Sequence, residues 1–362
     1  MLGQTHIGDC RQTMRSMHAA GVVAQCVVTS PPYFGLRDYQ TEGQIGLERS
    51  LGEYVEAMVD VFRSVRDVLA DDGVLWLNLG DSYVSKGGCV TPQAGHQFST
   101  RTRGREVVCR SNRDVETGLK PKDRMMVPAR VAMALQADGW WLRDEIVWHK
   151  PNPMPSSVRD RTTSAHEMVY LLSKSRRYYF DQEAIAEPAS YGEPNAPDKI
   201  KSPMGQGYTR RAGRWPSGWA RGDEPRDVVA FSREVGRSGN KARKPGSARG
   251  CPENTDSNLC GSVPWEGTTR NKRSVWTVST QPCPDAHFAT FPQKLIEPCI
   301  LAGSRPGDVV FDPFMGAGTT AIVAERLARR WIGCELNPEY VAIQHRRMQG
   351  LTPGLPLAAA GE

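Results

Sequence analysis

Two short segments of this 362-residue chain combine residue types that could do chemistry. The first is Thr29-Ser30-Pro31-Pro32-Tyr33-Phe34, which follows an apolar run beginning at Val22. Two adjacent prolines hold the backbone extended and remove local amide donors, leaving carbonyl oxygens to bond elsewhere. The Ser30 hydroxyl and the Pro31 carbonyl could then accept hydrogen bonds from one exocyclic amino group. The Tyr33 ring could stack on the base that carries it. Acceptors of this kind localise the lone pair on the amino nitrogen, so that a poor nucleophile can attack a methyl sulfonium in line. Taken alone, Pro-Pro-Tyr reads as an ordinary extended turn.

The second segment runs from Val309 through Asp312-Pro313-Phe314-Met315-Gly316-Ala317-Gly318 to Thr319 and Thr320. It joins a strand pattern to a helix pattern, and Gly316 and Gly318 permit a tight turn with close approach by a ligand. Glu335 ends the next strand, 17 residues after Gly318, where a carboxylate can accept both hydroxyls of a ribose. That spacing alone would also suit a nicotinamide dinucleotide. Asp312 decides against it: a carboxylate at the loop mouth repels a pyrophosphate and suits an amino-acid ammonium. S-adenosylmethionine carries an ammonium, a sulfonium and an adenosine, and is the expected cofactor.

The elements that must position these loops follow an α/β pattern. Strands are expected over Val22–Thr29, Val74–Leu79, Leu142–Trp148, His166–Ser173, Val309–Phe311 and Trp331–Glu335. Leu51, Tyr54, Val55, Met58, Val61, Phe62, Val65 and Leu69 recur at helical spacing, with Asp71-Asp72-Gly73 ending the helix. Further helices are expected over Val127–Ala137, Pro292–Ala302 and Thr319–Arg330. Such alternation builds a largely parallel sheet with helices on both faces. Residues 84–122 read as polar loop, and Trp140 and Trp141 as core.

Charge is distributed unevenly. The net charge is +6, yet the segment from Pro188 to Ser274 alone holds 16 Lys and Arg against 9 Asp and Glu. It also holds 21 of the 61 Gly and Pro residues. Arg210, Arg211, Arg214, Lys241, Arg243 and Lys244 stand there among Tyr208, Trp215 and Trp219. Basic groups displace counterions from phosphates, and aromatic rings stack on bases; a solvated polar loop would share this composition.

Together the two loops resemble the amino-group DNA methyltransferases, which make N6-methyladenine or N4-methylcytosine. The catalytic segment precedes the cofactor loop, similar to that family's beta arrangement. His6-Ile7-Gly8-Asp9, Ile146 to Asn152, His166-Glu167 and Phe291-Pro292-Gln293-Lys294 look like further segments of the family. The resemblance implies a Rossmann-like class I methyltransferase fold, a mostly parallel seven-stranded sheet, and a small irregular target-recognition region. It places Ser30, Pro31, Pro32 and Tyr33 in catalysis. It places Asp9, Phe291, Lys294, Asp312, Phe314, Gly316, Gly318, Thr319, Thr320 and Glu335 around the cofactor, and assigns DNA contact to the basic segment. The implied organisation is a catalytic half over 1–187, target recognition over 188–274, a cofactor half over 275–350 and a tail over 351–362. Ser30 favours cytosine N4 as the target, because adenine-modifying members of this arrangement often carry Asp there. The expected partner is double-stranded DNA, with a homodimer for a palindromic site and a cognate restriction endonuclease where one accompanies the methylase. Expected rivals are an RNA or protein-glutamine methyltransferase and a catalytically silent DNA-binding regulator.

Other features carry less. The Pro-Cys pairs at 282–283 and 298–299 are not at the catalytic strand end, so a thiolate mechanism is not expected. Cys251, Cys260 and Cys283 lack the Cys-x-x-Cys spacing of a zinc site, and no metal is expected. Asp81 reads as an ordinary strand-end carboxylate. The start of the sequence has no secretory pattern and no run of about 18 apolar residues occurs, which leads us to expect a cytoplasmic, nucleoid-associated protein.

Overall fold

The computed structural model describes residues 1–36, 39, 41–84, 90–91, 117–189, 269–281 and 291–349. The chain divides into two compact units, Met1–Glu187 with Arg270–Glu362, and Pro188–Thr269. The first unit carries every element named below. The basic residues Arg210, Arg211, Arg214, Lys241, Arg243 and Lys244 lie outside the described residues, as do Cys251, Cys260 and Cys283.

In chain order the main elements are β1 (Gln4–Ile7), α1 (Cys10–Ala19), β2 (Ala24–Thr29), α2 (Leu51–Val68), β3 (Leu69–Leu79), α3 (Val127–Ala137), β4 (Trp141–His149) and β5 (His166–Ser173). They continue with β6 (Val275–Thr277), α4 (Gln293–Gly303), β7 (Val309–Asp312), α5 (Thr319–Arg326), β8 (Arg330–Glu335) and α6 (Pro338–Gln349). The strands form one sheet in the order β1-β8-β7-β2-β3-β5-β4-β6. Pairing is parallel except where β5 lies antiparallel between β3 and β4. The sheet has eight strands rather than seven. The two strands not placed from the sequence are the four-residue β1 and the three-residue edge strand β6, both too short to show alternation.

Strand periodicity sends alternate side chains to opposite faces, and two apolar clusters result. Val27, Leu75, Leu77 and Phe311 pack on one face with α1, α2 and α3 residues such as Met14, Phe62 and Val131. Cys26, Val28, Trp76 and Val310 pack on the other with α4 and α5 residues such as Ile300 and Val323. Helix α2 buries Leu51, Tyr54, Met58, Val61, Phe62, Val65 and Val68 along one stripe, each such side chain contributing about 1.5–3 kcal/mol by leaving water. Its start is set by a capping box in which Ser50 and Glu53 each accept from the other's backbone amide.

Several boundaries move. Helix α2 ends at Val68, and Asp71-Asp72-Gly73 lies within β3, where pairing to β2 shifts register. Helix α5 stops at Arg326, not Arg330. Ala328 turns left-handed at φ 57°, and Arg330 already pairs with Val309 as the first residue of β8. Trp140 is buried, but Trp141 is 45% exposed at the start of β4. Helices α1 and α6 are not evident in the sequence pattern. Both are strongly polar, and the N-cap of α1 is Asp9, the residue that the family resemblance places at the cofactor. No helix among the described residues is long and apolar enough to cross a membrane.

Candidate active site

In a sheet of this kind, ligands gather beyond the carboxyl ends of the parallel strands. Here β1 delivers Gly8 and Asp9 to that edge, β2 delivers Ser30, β3 Asn78, β4 Lys150, β7 Pro313 and β8 Glu335. Strand β5 runs the opposite way, so its first residues reach the same edge. The register pairs Trp148 with Glu167 and Leu79 with Met168. An antiparallel strand therefore brings a carboxylate to the ends of parallel ones. The residues converge on one cavity of about 230 Å³.

Ser30, Pro31, Pro32 and Tyr33 all line it. Their backbone is held from behind: Tyr54 Oη donates to the Pro32 carbonyl at 2.9 Å, and Gly35 N–H to the Gly46 carbonyl at 2.7 Å. The Tyr33 ring lies against Gly80, where a Cβ would come within 2.5 Å of its Cε2, so only glycine admits the ring in this position. The Tyr33 hydroxyl donates to Glu167 Oε2 at 2.8 Å, with Asn78 Oδ1 3.3 Å away. Ser30 Oγ donates to the Tyr33 hydroxyl oxygen at 3.3 Å. Glu167 Oε1 is in turn paired with the Lys150 ammonium, which lies 4.4 Å from the Trp148 ring centroid. Burial, with the negative charge of Glu167 next in weight, keeps the Tyr33 phenol firmly protonated.

Glu335 and the glycine turn form another wall. Gly316 adopts φ 53° and donates its N–H to Glu335 Oε2 at 2.8 Å; Asn337 N–H takes Oε1 at 2.9 Å. Burial pushes the Glu335 carboxyl up, and these amides oppose the shift. Each carboxylate oxygen retains a lone pair for a further donor. Gln344, buried in α6, spans the turn from outside by accepting from Thr5 Oγ1 and donating to the Gly316 carbonyl, both at 2.6 Å. Phe291, Phe314, Thr319 and Asp9 also line the cavity. Asp9 caps α1 by accepting from Arg11 N–H and pairs with the Arg11 guanidinium, which holds its carboxyl below the usual range.

Four expected cofactor residues do not reach the cavity. Lys294 is exposed in the first turn of α4. Gly318 caps α5 at φ 80° and packs on Gln344. Asp312 is completely buried, which corrects the expectation that it meets an ammonium at the loop mouth. Its oxygens accept from Thr29 Oγ1 at 2.6 Å, Thr320 Oγ1 at 2.7 Å and Phe314 N–H at 3.0 Å. Thr320 is thereby also committed inward. The cause is the pairing of β2 with β7, which sets Thr29 beside Asp312. Burial raises the Asp312 carboxyl to about 6, against the pull of its three donors.

Sequence reasoning placed Trp148, Lys150 and Glu167 in segments that resemble the family, but assigned none of them, nor Asn78, an individual role. The signal was the polar residue at each strand end, but the antiparallel order that joins them is not written in local pattern. Asp81 does what an ordinary strand-end carboxylate does. It pairs with Arg124 at 2.5 Å and accepts from Val127 N–H at 3.0 Å, capping α3. Asn152 also serves the backbone, accepting from Thr280 N–H at 3.1 Å. Cys299 is buried in the core of α4.

Comparison with known proteins gives a consistent result. Residues 24–346 match the family model N6_N4_Mtase, described as DNA methylase. The chain is 38% identical to the Type II methyltransferase M.SmaI of Serratia marcescens over 94% of its own length and 89% of that protein. It is 38% identical to the Type II methyltransferase M.Cfr9I of Citrobacter freundii over 95% of its length and 86% of that protein. Among solved structures, PvuII DNA methyltransferase (cytosine-N4-specific) shares the fold, with a TM-score of 0.53 and 18% identity, covering 98% of this chain and 92% of that one.

Proposed function

Because the chain belongs to the DNA methylase family of amino-group methyltransferases, we propose that it moves the methyl group of S-adenosylmethionine onto the exocyclic amino nitrogen of a base turned out of duplex DNA, with cytosine N4 the base that Ser30 favours. One observation carries the reading: the Ser30–Tyr33 cluster and the Gly316–Glu335 wall line the same cavity. The group proposed to hold an amino nitrogen and the group proposed to hold a nucleoside cofactor thus face the same space.

The lining fits such a cofactor. Glu335 offers carboxylate oxygens to ribose hydroxyls, Phe291 and Phe314 offer apolar walls, and a Cβ built at Gly316 would meet only the Phe314 carbonyl, at 3.9 Å. Bound there, S-adenosylmethionine would supply an electrophilic methyl carbon, its sulfur keeping the electrons of the bond that breaks, and the methylated nitrogen would return to neutrality by releasing one of its protons to water. The protein's own part is to present that lone pair. Ser30 Oγ and the Pro31 carbonyl take the amino hydrogens, the Tyr33 ring supports the base, and the prolines keep both acceptors from turning away. The basic segment over 188–274 is assigned to the DNA backbone. Neutralising Arg210, Arg211 and Arg214 together is expected to flatten the dependence of DNA affinity on salt, by about one unit of log–log slope for each phosphate that is no longer neutralised.

The test is to incubate the purified protein with mixed-sequence duplex DNA and methyl-labelled S-adenosylmethionine, digest to nucleosides and identify the labelled species by mass spectrometry. Labelled N4-methylcytosine is expected; labelled N6-methyladenine would reassign the base, and label confined to RNA or protein would overturn the substrate.

A further inference from the structure

A serine hydroxyl has one proton and can both donate and accept. If Ser30 is to accept a hydrogen bond from an amino group and so localise the lone pair on its nitrogen, its own proton must be directed elsewhere. A Ser30 proton pointing at the amino nitrogen would instead bond the lone pair that has to attack.

The residues behind Ser30 settle the direction of its proton. Lys150 can only donate, and it occupies Glu167 Oε1. Glu167 Oε2 accepts from the Tyr33 hydroxyl at 2.8 Å. The Asn78 amide donates to the Met168 carbonyl at 3.2 Å and to Glu167 Oε2 at 3.4 Å. That orientation turns Asn78 Oδ1 toward Tyr33, so both neighbours behind the phenol are acceptors. The phenol's single proton goes back to them, and its oxygen is left to accept from Ser30. We propose that Glu167, held by Lys150, is a positioning residue that fixes the direction of the chain Ser30 to Tyr33 to Glu167 and so makes Ser30 an acceptor toward the target amino group. This rests on the reading that Ser30 meets that group.

Glu167→Gln tests the direction without removing the atoms. Lys150 would retain the glutamine carbonyl oxygen, leaving the amide NH2 to face Tyr33. The phenol would then accept from that NH2 and keep only Asn78 Oδ1, 3.3 Å away, as an acceptor behind it, so its proton is shared between Asn78 and Ser30 and the Ser30 proton is no longer held away from the cavity. The single-turnover methylation rate is expected to fall on the order of 10- to 100-fold, the scale of one preorganised hydrogen bond in a transition state. S-adenosylmethionine and DNA affinities should stay within about 2-fold, since this reading has Glu167 act through Tyr33 and Glu167→Gln keeps its shape. Tyr33→Phe keeps the Lys150–Glu167 pair intact and frees Ser30 from it, so it should slow the same step. Adding Glu167→Gln to Tyr33→Phe should then cost nothing further.

The outcomes separate cleanly. A double variant no slower than Tyr33→Phe supports the relay; losses that multiply would overturn it, because a merely structural role for Glu167 acts whether or not the phenol is present. Full rate in Tyr33→Phe would overturn it even if Glu167→Gln fails to fold. Full rate in Ser30→Ala would remove the assignment of Ser30 itself. Loss in Ser30→Ala with none in Tyr33→Phe would leave that assignment standing and remove only this inference.

Discussion

The loops that end β2 and β7 lie side by side and direct their polar groups in opposite senses. After β2, the Ser30 and Tyr33 hydroxyls line the cavity and are oriented by a charged pair behind them. After β7, the Asp312 carboxylate points into the protein and holds Thr29, Thr320 and the Phe314 amide. In local sequence a carboxylate in a glycine-rich loop looks like a ligand just as a serine beside two prolines does. What separates the two is which neighbour the sheet provides. Beside β2 and β3, the antiparallel β5 brings Glu167 to the cavity edge. Beside β7, the parallel β2 brings a threonine that closes the space around Asp312. Asp312 thus ties the residue before Ser30 to the first turn of α5, and of the two carboxylates it is Glu335 that lines the cavity.

The largest expected effect breaks the catalytic side of this contrast. Tyr33→Ala removes the ring proposed to support the base and the hydroxyl that accepts the Ser30 hydrogen bond. Methyl transfer should fall by more than about 100-fold, while S-adenosylmethionine affinity, read by calorimetry, stays within a few-fold. Equal loss of both would place Tyr33 on the cofactor instead. The next effect sharpens the cofactor side. Glu335→Gln keeps the shape but removes charge from the expected hydrogen bonds to ribose, each worth about 1.5–3 kcal/mol when an ion takes part. Affinity should drop about 10-fold or more, and Asp312→Asn should change it by less than about 3-fold. Reversed magnitudes would return Asp312 to the role of ligand.

Much of this site was legible in the sequence because local rules write it. The proline pair, the glycine turn and the strand before each are short-range features, and all four catalytic candidates reach the cavity. Ten of the fourteen residues named for catalysis and cofactor do so. Of the four that do not, Asp312 and Thr320 share one physical cause. Whether a side chain at a strand end turns out or in depends on the strand next to it, which local pattern does not specify. For the same reason Glu167 carried no individual role: its position follows from β5 running against its neighbours. The short strands β1 and β6 and the polar helices α1 and α6 were hidden differently, the strands by their length and the helices by narrow apolar stripes that bury only Met14 and Met17 or Tyr340 and Val341 among their larger apolar residues.

Asp312 offers the smallest effect and the most direct check on its inward role. Its folded carboxyl lies near 6, above the ordinary 3.8, because burial outweighs three hydrogen bonds. The folded state therefore binds more protons than the unfolded state between those two values, and stability from this group declines as pH rises through about 6. The difference corresponds to about 3 kcal/mol in all, of which about 2 kcal/mol is lost between pH 4 and pH 7. Asparagine has no such titration. Its carbonyl oxygen can still accept from Thr29 and Phe314, and its amide can donate to Thr320 once that hydroxyl turns. Asp312→Asn should consequently gain on the parent protein by about 2 kcal/mol as pH goes from 4 to 7, with the difference nearly level above pH 7. Denaturant melts across that range measure it. A difference that does not grow with pH would mean that the carboxylate is solvated in the folded protein, and with it the reason for denying Asp312 to the cofactor would go.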